Sequence, residues 1–80
     1  MSVIMNRFAT LLAKKEIADN RRYKQKEIAK AVGLSEPMIS RFINGTGFEK
    51  TSLENVKRLC DWLGCEIGDL IYLDRTPEPQ

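Results

Sequence analysis

The chain has 80 residues, 42% of them hydrophobic and 30% charged, with no histidine, two cysteines and a net charge of +2. That length allows one domain and one core, and it leaves no run of about 18 apolar residues to span a membrane. A chain this small buries only about 60% of the surface its unfolded form exposes, so well-matched helices or a partner subunit must supply stability. Without histidine, Ser–His and Cys–His nucleophile pairs are excluded, and no enzyme is expected. Cys60 and Cys65 are too few for a disulfide framework or a four-ligand zinc site. They read as small buried apolar residues in a reducing compartment, with a redox switch as the alternative. A helix continued through both would put the two thiols on different sides. No basic start followed by an apolar stretch and a cleavage site opens the chain, so no signal peptide is expected and the location is read as cytoplasmic. No cofactor and no small-molecule ligand is expected.

The charge is unevenly placed. Residues 1–50 hold ten Lys and Arg against five Asp and Glu, whereas residues 51–80 hold three against six. Arg21, Arg22, Lys24, Lys26 and Lys30 crowd together with one acid, Glu27. Such asymmetry suits a face that meets a polyanion, although a solvated surface would look the same.

Along the chain, Ser2 to Met5 is short and partly β-branched, and Asn6 stands where a helix N-cap is expected. A first helix is predicted from Arg7 to about Asn20, with Phe8, Leu11 and Leu12 on one face and Ile17 only loosely in period. The basic stretch Asp19 to Lys24 turns the chain. Gln25 to Val32 reads as a short helix with Ile28, Ala29 and Val32 inward, ended by Gly33. Ser35 caps a further helix through the Met38 N–H, Pro37 sits in its first turn, and Ile39, Phe42 and Ile43 form its inner stripe. Asn44-Gly45-Thr46-Gly47 stops it. Thr51-Ser52-Leu53-Glu54 is a capping-box sequence before Leu53, Val56, Leu59, Cys60 and Leu63 at helical spacing, closed by Gly64. Ile67 to Ile71 forms a last turn, and Leu70 to Leu73 an extended tail that would pair with Val3–Met5. Residues 76–80, with two prolines, are expected to fray.

Residues 25–44 carry the most information. Two short helices flank Gly33-Leu34-Ser35, with Ala29 four positions before the glycine and Ile39 six after it. Helices crossing at about 90–120° through a short turn need this arrangement. Ala29 is small where the second helix crosses, Gly33 turns sharply, and Ile39 fills the angle between them. Ile28, Val32, Leu34 and Phe42 complete the inner surface.

With those residues in view, the chain resembles the Cro/lambda-repressor-like (XRE) helix-turn-helix family of bacterial and phage regulators, over about Arg7 to Leu73. The strongest stretches are Gln25 to Ser35 and Ile39 to Gly45. Ser52 to Glu54 and Leu59 to Leu70 are similar to the closing helices of small single-domain members. The resemblance implies a mostly α, five-helix DNA-binding domain over residues 1–80, with a two-stranded ribbon joining its ends, and packing roles for Cys60 and Cys65. It implies a cytoplasmic regulator that binds duplex DNA through a recognition helix at 36–43, as a homodimer on an inverted repeat.

The same resemblance implies the DNA-facing set by position. Gln25 and Lys26 match the backbone-touching start of the first motif helix. Ser35, Glu36, Pro37, Ser40 and Arg41 match the cap and outward face of the recognition helix, with Asn44 and Thr46 at positions that hold phosphates. Arg41 can donate two bonds to guanine, and Glu36 can accept from the amino group of cytosine. Lys24 departs from the family's capping Ser or Thr, and the segment before Gln25 is longer than in typical members. Trp62 and Tyr72 read as packing or subunit-contact residues. A protein-interaction module, antitoxin or anti-regulator, on the same scaffold is the competing reading, motivated by the low net charge and Glu36.

Overall fold

A computed structural model describes residues 2–75. The order is β1 (Ser2–Asn6), α1 (Phe8–Asp19), α2 (Gln25–Val32), α3 (Glu36–Asn44), a single 3-10 turn (Phe48–Lys50), α4 (Leu53–Leu63), α5 (Ile67–Leu70) and β2 (Ile71–Arg75). The five-helix architecture and the ribbon both agree with expectation. β1 and β2 pair antiparallel, with Ile4 opposite Leu73 and Met5 opposite Tyr72. The fraying expected of residues 76–80 lies outside the described residues. Among the described residues no helix is long and apolar enough to cross a membrane.

The core gathers one or more side chains from each helix. Phe8, Ile28, Ile39, Phe42, Phe48, Leu59 and Leu70 are almost fully buried, with Ala29, Val32, Val56 and Cys60 beside them. Phe42 lies between two other rings, its centroid 6.0 Å from Phe8 and 5.4 Å from Phe48. Offset and tilted aromatic pairs at such distances add to the area they bury. This trio ties α1, α3 and the 3-10 turn into one unit. Phe48 is a core residue that the helical periodicity does not predict. It sits next to Gly47 in a segment without helical or strand period, so no pattern marks it.

Several boundaries differ from expectation for local reasons. The α1 cap is Arg7 rather than Asn6, because Asn6 is the last strand residue; its Oδ1 instead accepts the Phe8 N–H at 2.9 Å. Ser52, not Thr51, caps α4 by accepting the Asn55 N–H at 3.2 Å. Thr51 is left to accept from Asn55 Nδ2, and Glu54 reaches Arg58 at 3.7 Å rather than closing a box. Leu53 follows the α4 period but is 76% exposed, since the first turn of that helix runs beyond the core. Leu34 and Ile43 are half-buried at the edge of the core.

Gly64 reverses the chain after α4 with φ of 72°. The Gly64 and Cys65 N–H groups both return to the Cys60 carbonyl, at 2.8 and 3.0 Å. This helix-ending turn brings the side chain two residues beyond the helix back against its last full turn. Cys65 therefore packs against the core that holds Cys60 instead of pointing to another side. Burial pushes the Cys60 thiol up to about 11. Both cysteines are free thiols.

Candidate nucleic-acid interface

The presenting element is the pair α2–α3. Gly33 has φ of 75°, and its N–H and that of Leu34 both bond to the Ala29 carbonyl, at 2.9 and 3.0 Å. The chain leaves α2 sharply as a result, and Ser35 starts α3 by accepting the Met38 N–H at 3.3 Å. Ile28 and Ala29 on α2 and Ile39 and Phe42 on α3 are buried together in one cluster, which fixes how one helix lies on the other. A contact invisible to local sequence reasoning braces the turn. Arg58 on α4, 25 residues away, donates from Nη1 to the Gly33 carbonyl at 3.3 Å.

At about 100° per residue, Glu36, Ser40, Asn44, Pro37 and Arg41 fall in that angular order within an arc of roughly 140° on α3. All are exposed except Ser40, which is half-buried, while Met38, Ile39, Phe42 and Ile43 occupy the opposite side. Five of the nine sequence-derived positions thus share one uncovered helix face. Ser40 Oγ accepts from Asn44 Nδ2 at 3.3 Å, so these two side chains are aligned along the helix. Thr46 is exposed in the loop that follows, where its N–H and that of Gly45 bond to the Arg41 carbonyl, at 3.2 and 2.9 Å. A Cβ on Gly47 would stand 3.4 Å from Arg41 Cδ, so the bare glycine lies along the arginine stem. Ser35 is exposed, but its hydroxyl is engaged in the cap.

Gln25 and Lys26 are exposed in the first turn of α2, and Lys30 follows Lys26 one turn later on the same side. Lys24 offers no side-chain cap, as its replacement of a hydroxyl residue implies. Glu27 fills the need, its carboxylate accepting the Lys24 N–H at 3.2 Å. That backbone bond, followed by the nearby Arg21 guanidinium, holds the Glu27 carboxyl below the usual range.

The long basic segment before α2 is fixed by specific contacts. Asn20 takes the left-handed conformation, which asparagine tolerates. The Tyr23 N–H donates to Glu16 at 2.8 Å, its hydroxyl donates to Asp19, and its ring meets Trp62 edge-on at 5.1 Å. Arg21 pairs with Glu27 and stacks 4.4 Å above the Tyr23 ring. Lys15 pairs with Asp19 and sits 4.8 Å from the Trp62 ring. Trp62 is therefore a packing residue that anchors this segment to α4. Tyr72, on β2, carries the Arg7 guanidinium 3.9 Å over its ring. Arg22, Lys24 and Lys26 remain exposed, and no ion pair among the described residues engages Lys26, Lys30 or Arg41.

A family profile described as the Cro/C1-type HTH DNA-binding domain matches residues 15–75, which include all of α2, α3, α4 and α5. The chain belongs to that family. No curated protein and no solved structure shows significant similarity to it.

Proposed function

We propose that this Cro/C1-type domain regulates transcription by placing α3 in the major groove of duplex DNA, as a homodimer on an inverted repeat. The observation that carries the reading is the uncovered arc of α3, with Glu36, Ser40, Asn44, Pro37 and Arg41 facing outward from a helix braced on its other side. An α-helix fits the major groove, where each base pair presents a distinct pattern of donors and acceptors. Arg41 supplies a bidentate donor suited to guanine, and Glu36 an acceptor suited to cytosine. Gln25, Lys26, Asn44 and Thr46, with Ser35 at the helix start, contact phosphates and set the register of α3 without themselves reading sequence. One such helix reads only a few base pairs. Two copies related by a two-fold axis read half-sites about 34 Å apart on one face of the duplex.

The test is selection of bound duplexes from a randomised pool, repeated with Arg41→Ala. An inverted repeat is expected, and Arg41→Ala, which removes one such contact from each half-site, should lose about 5- to 150-fold in affinity per half-site, with sequence preference relaxed at one position of each. Recovery of no motif at low salt would refute this function. It would favour the interaction-module reading, for which an acid at the start of α3 is the supporting feature.

A further inference from the structure

We infer that β1 is the seam through which two copies of the chain join, strand against strand, antiparallel about a two-fold axis at Ile4. The inference rests on the homodimer reading above and assigns the surface that reading requires. β1 lies outside the residues matched by the family profile, so the inference comes from the strand itself.

The phase of the ribbon shows which backbone groups are free. The Arg7 N–H donates to the Leu70 carbonyl at 2.8 Å, the rung that continues the β1–β2 register by one pair. Hydrogen-bonded and non-bonded pairs alternate along an antiparallel ladder. The bonded pairs are therefore Met5–Tyr72 and Val3–Asp74, while Asn6–Ile71, Ile4–Leu73 and Ser2–Arg75 turn their N–H and C=O groups outward. On the open side of β1 those groups belong to Ser2, Ile4 and Asn6. A second β1 rotated about Ile4 sets Ile4 against Ile4 and Ser2 against Asn6, and the outward groups close about six hydrogen bonds.

The side chains agree with the backbone. Ser2-Val3-Ile4-Met5-Asn6 contains no charge and no proline, two of the features by which exposed edges are ordinarily protected. Val3 is 54% exposed and Ile4 43%. In the two-fold arrangement Val3 faces the second copy's Met5, and each Ile4 gains the other as a cross-strand neighbour. Ile4 also lines a groove of about 190 Å³ with Leu53, Ile67 and Ile71, so the second Ile4 arrives at an apolar rim. Within Ser2–Asn6 no like charges meet across this seam. The opposite edge of the ribbon is guarded, because β2 ends in Asp74-Arg75 and Pro77 follows in sequence.

The experiment is sedimentation equilibrium of the full chain, wild type and Ile4→Pro, joined to amide exchange by NMR. Ile4→Pro removes a donor that β2 does not use, so helical circular dichroism should be unchanged. With two seam donors lost per dimer, the dissociation constant should rise on the order of 30-fold. In the wild type, the Ile4 amide should exchange slowly and the Leu73 amide fast, although both point away from the ribbon's own ladder. A dimer in which Ile4 and Leu73 exchange equally fast, or one that Ile4→Pro leaves intact, would overturn the seam. A wild type that is monomeric yet selects a DNA motif would overturn it while leaving DNA reading in place. A dimer with Ile4 protected that selects no DNA would keep the seam and remove the DNA function.

Discussion

Replacing Gly33 with alanine probes the turn that sets α3 across α2. Gly33 has φ of 75°, a conformation that costs an L-residue roughly 1–2 kcal/mol. A Cβ there would also meet Arg58 Nη1 at 3.1 Å, close enough to displace the guanidinium that bonds to the Gly33 carbonyl. That exposed hydrogen bond is worth about 1 kcal/mol. The expected destabilisation is therefore about 2–3 kcal/mol, which lowers Tm by roughly 10–20 °C in a domain of this size. Gly64, with φ of 72° and no neighbouring atom within 4 Å of where a Cβ would stand, isolates the backbone cost. Gly64→Ala should lose only about 1–2 kcal/mol. Urea unfolding of Gly33→Ala, Arg58→Ala and the double variant closes a cycle in which the cost at Gly33 falls to that at Gly64 once Arg58 is gone. An unchanged Tm in Gly33→Ala would refute the turn, and additive behaviour in the cycle would refute the Arg58 brace.

Phe48→Ala should cost about 3–5 kcal/mol, because it removes a ring that is 1% exposed and leaves Phe42 without one neighbour. A thermal melt within a few degrees of wild type would show that the 3-10 turn is not part of the core. Glu27→Gln tests the start of α2 by pH. The lowered Glu27 carboxyl adds stability that is present above the ordinary value of 4.5 and is lost as pH falls through the lower folded value. The difference in urea midpoint between wild type and Glu27→Gln should thus be present at neutral pH and vanish in strong acid; a constant offset would contradict the charge effect. For Cys60 the sign is opposite. Its thiol, raised from 9.0 to about 11, contributes stability that is full below pH 9 and lost as pH rises towards 11. Under native conditions at pH 8 a disulfide reagent should label Cys60 only through unfolding, and labelling at the rate of a free thiol would show that it is not packed.

The parts of the fold that were legible in the sequence are those governed by neighbours. Gly33, Ser35 and Pro37 specify a helix stop, a cap and a helix start within five positions, and each acts on backbone groups no more than four residues away. The ribbon was legible because a β-branched start and an apolar tail each lacked any other partner. Tertiary contacts account for the rest. Phe48 joins the core by stacking on Phe42, and a sequence flanked by glycine gives no period to mark it. Leu53 keeps the period of α4 but lies beyond the end of the core, so its position along the helix axis decides its exposure. Glu27 rescues the start of α2 that Lys24 does not cap, a substitution of one group for another that reading the cap position alone does not show. The nine positions proposed to face DNA rest on resemblance. The exposed arc on α3 groups five of them, and that grouping depends on the burial of Ile39 and Phe42 on the opposite side of the helix.

A net charge of +2 says nothing of where the charge lies, and four of the eleven acids are held in ion pairs among the described residues. Asp19 is held by Lys15 and Tyr23, Glu27 by Arg21 and the Lys24 N–H, Asp61 by Lys57, and Glu54 by Arg58. Each of these pairs is on the surface and adds little to stability. Their consequence lies in where charge is left over. Lys26, Lys30 and Arg41 enter no such pair among the described residues, and Glu36 is the one acid on the α3 arc. Glu36 also sits in the first turn of α3, where the helix dipole favours a negative charge and partly offsets its repulsion of phosphate. Affinity for duplex DNA should accordingly fall steeply with salt, by a log–log slope of roughly −0.9 for each phosphate neutralised. Removing Lys26 should make that slope shallower by about one unit per subunit contact while leaving the selected sequence unchanged. A slope unaffected by Lys26→Ala would mean that α2 does not touch the backbone, and a Lys26→Ala variant that selects a different sequence would mean that it reads bases.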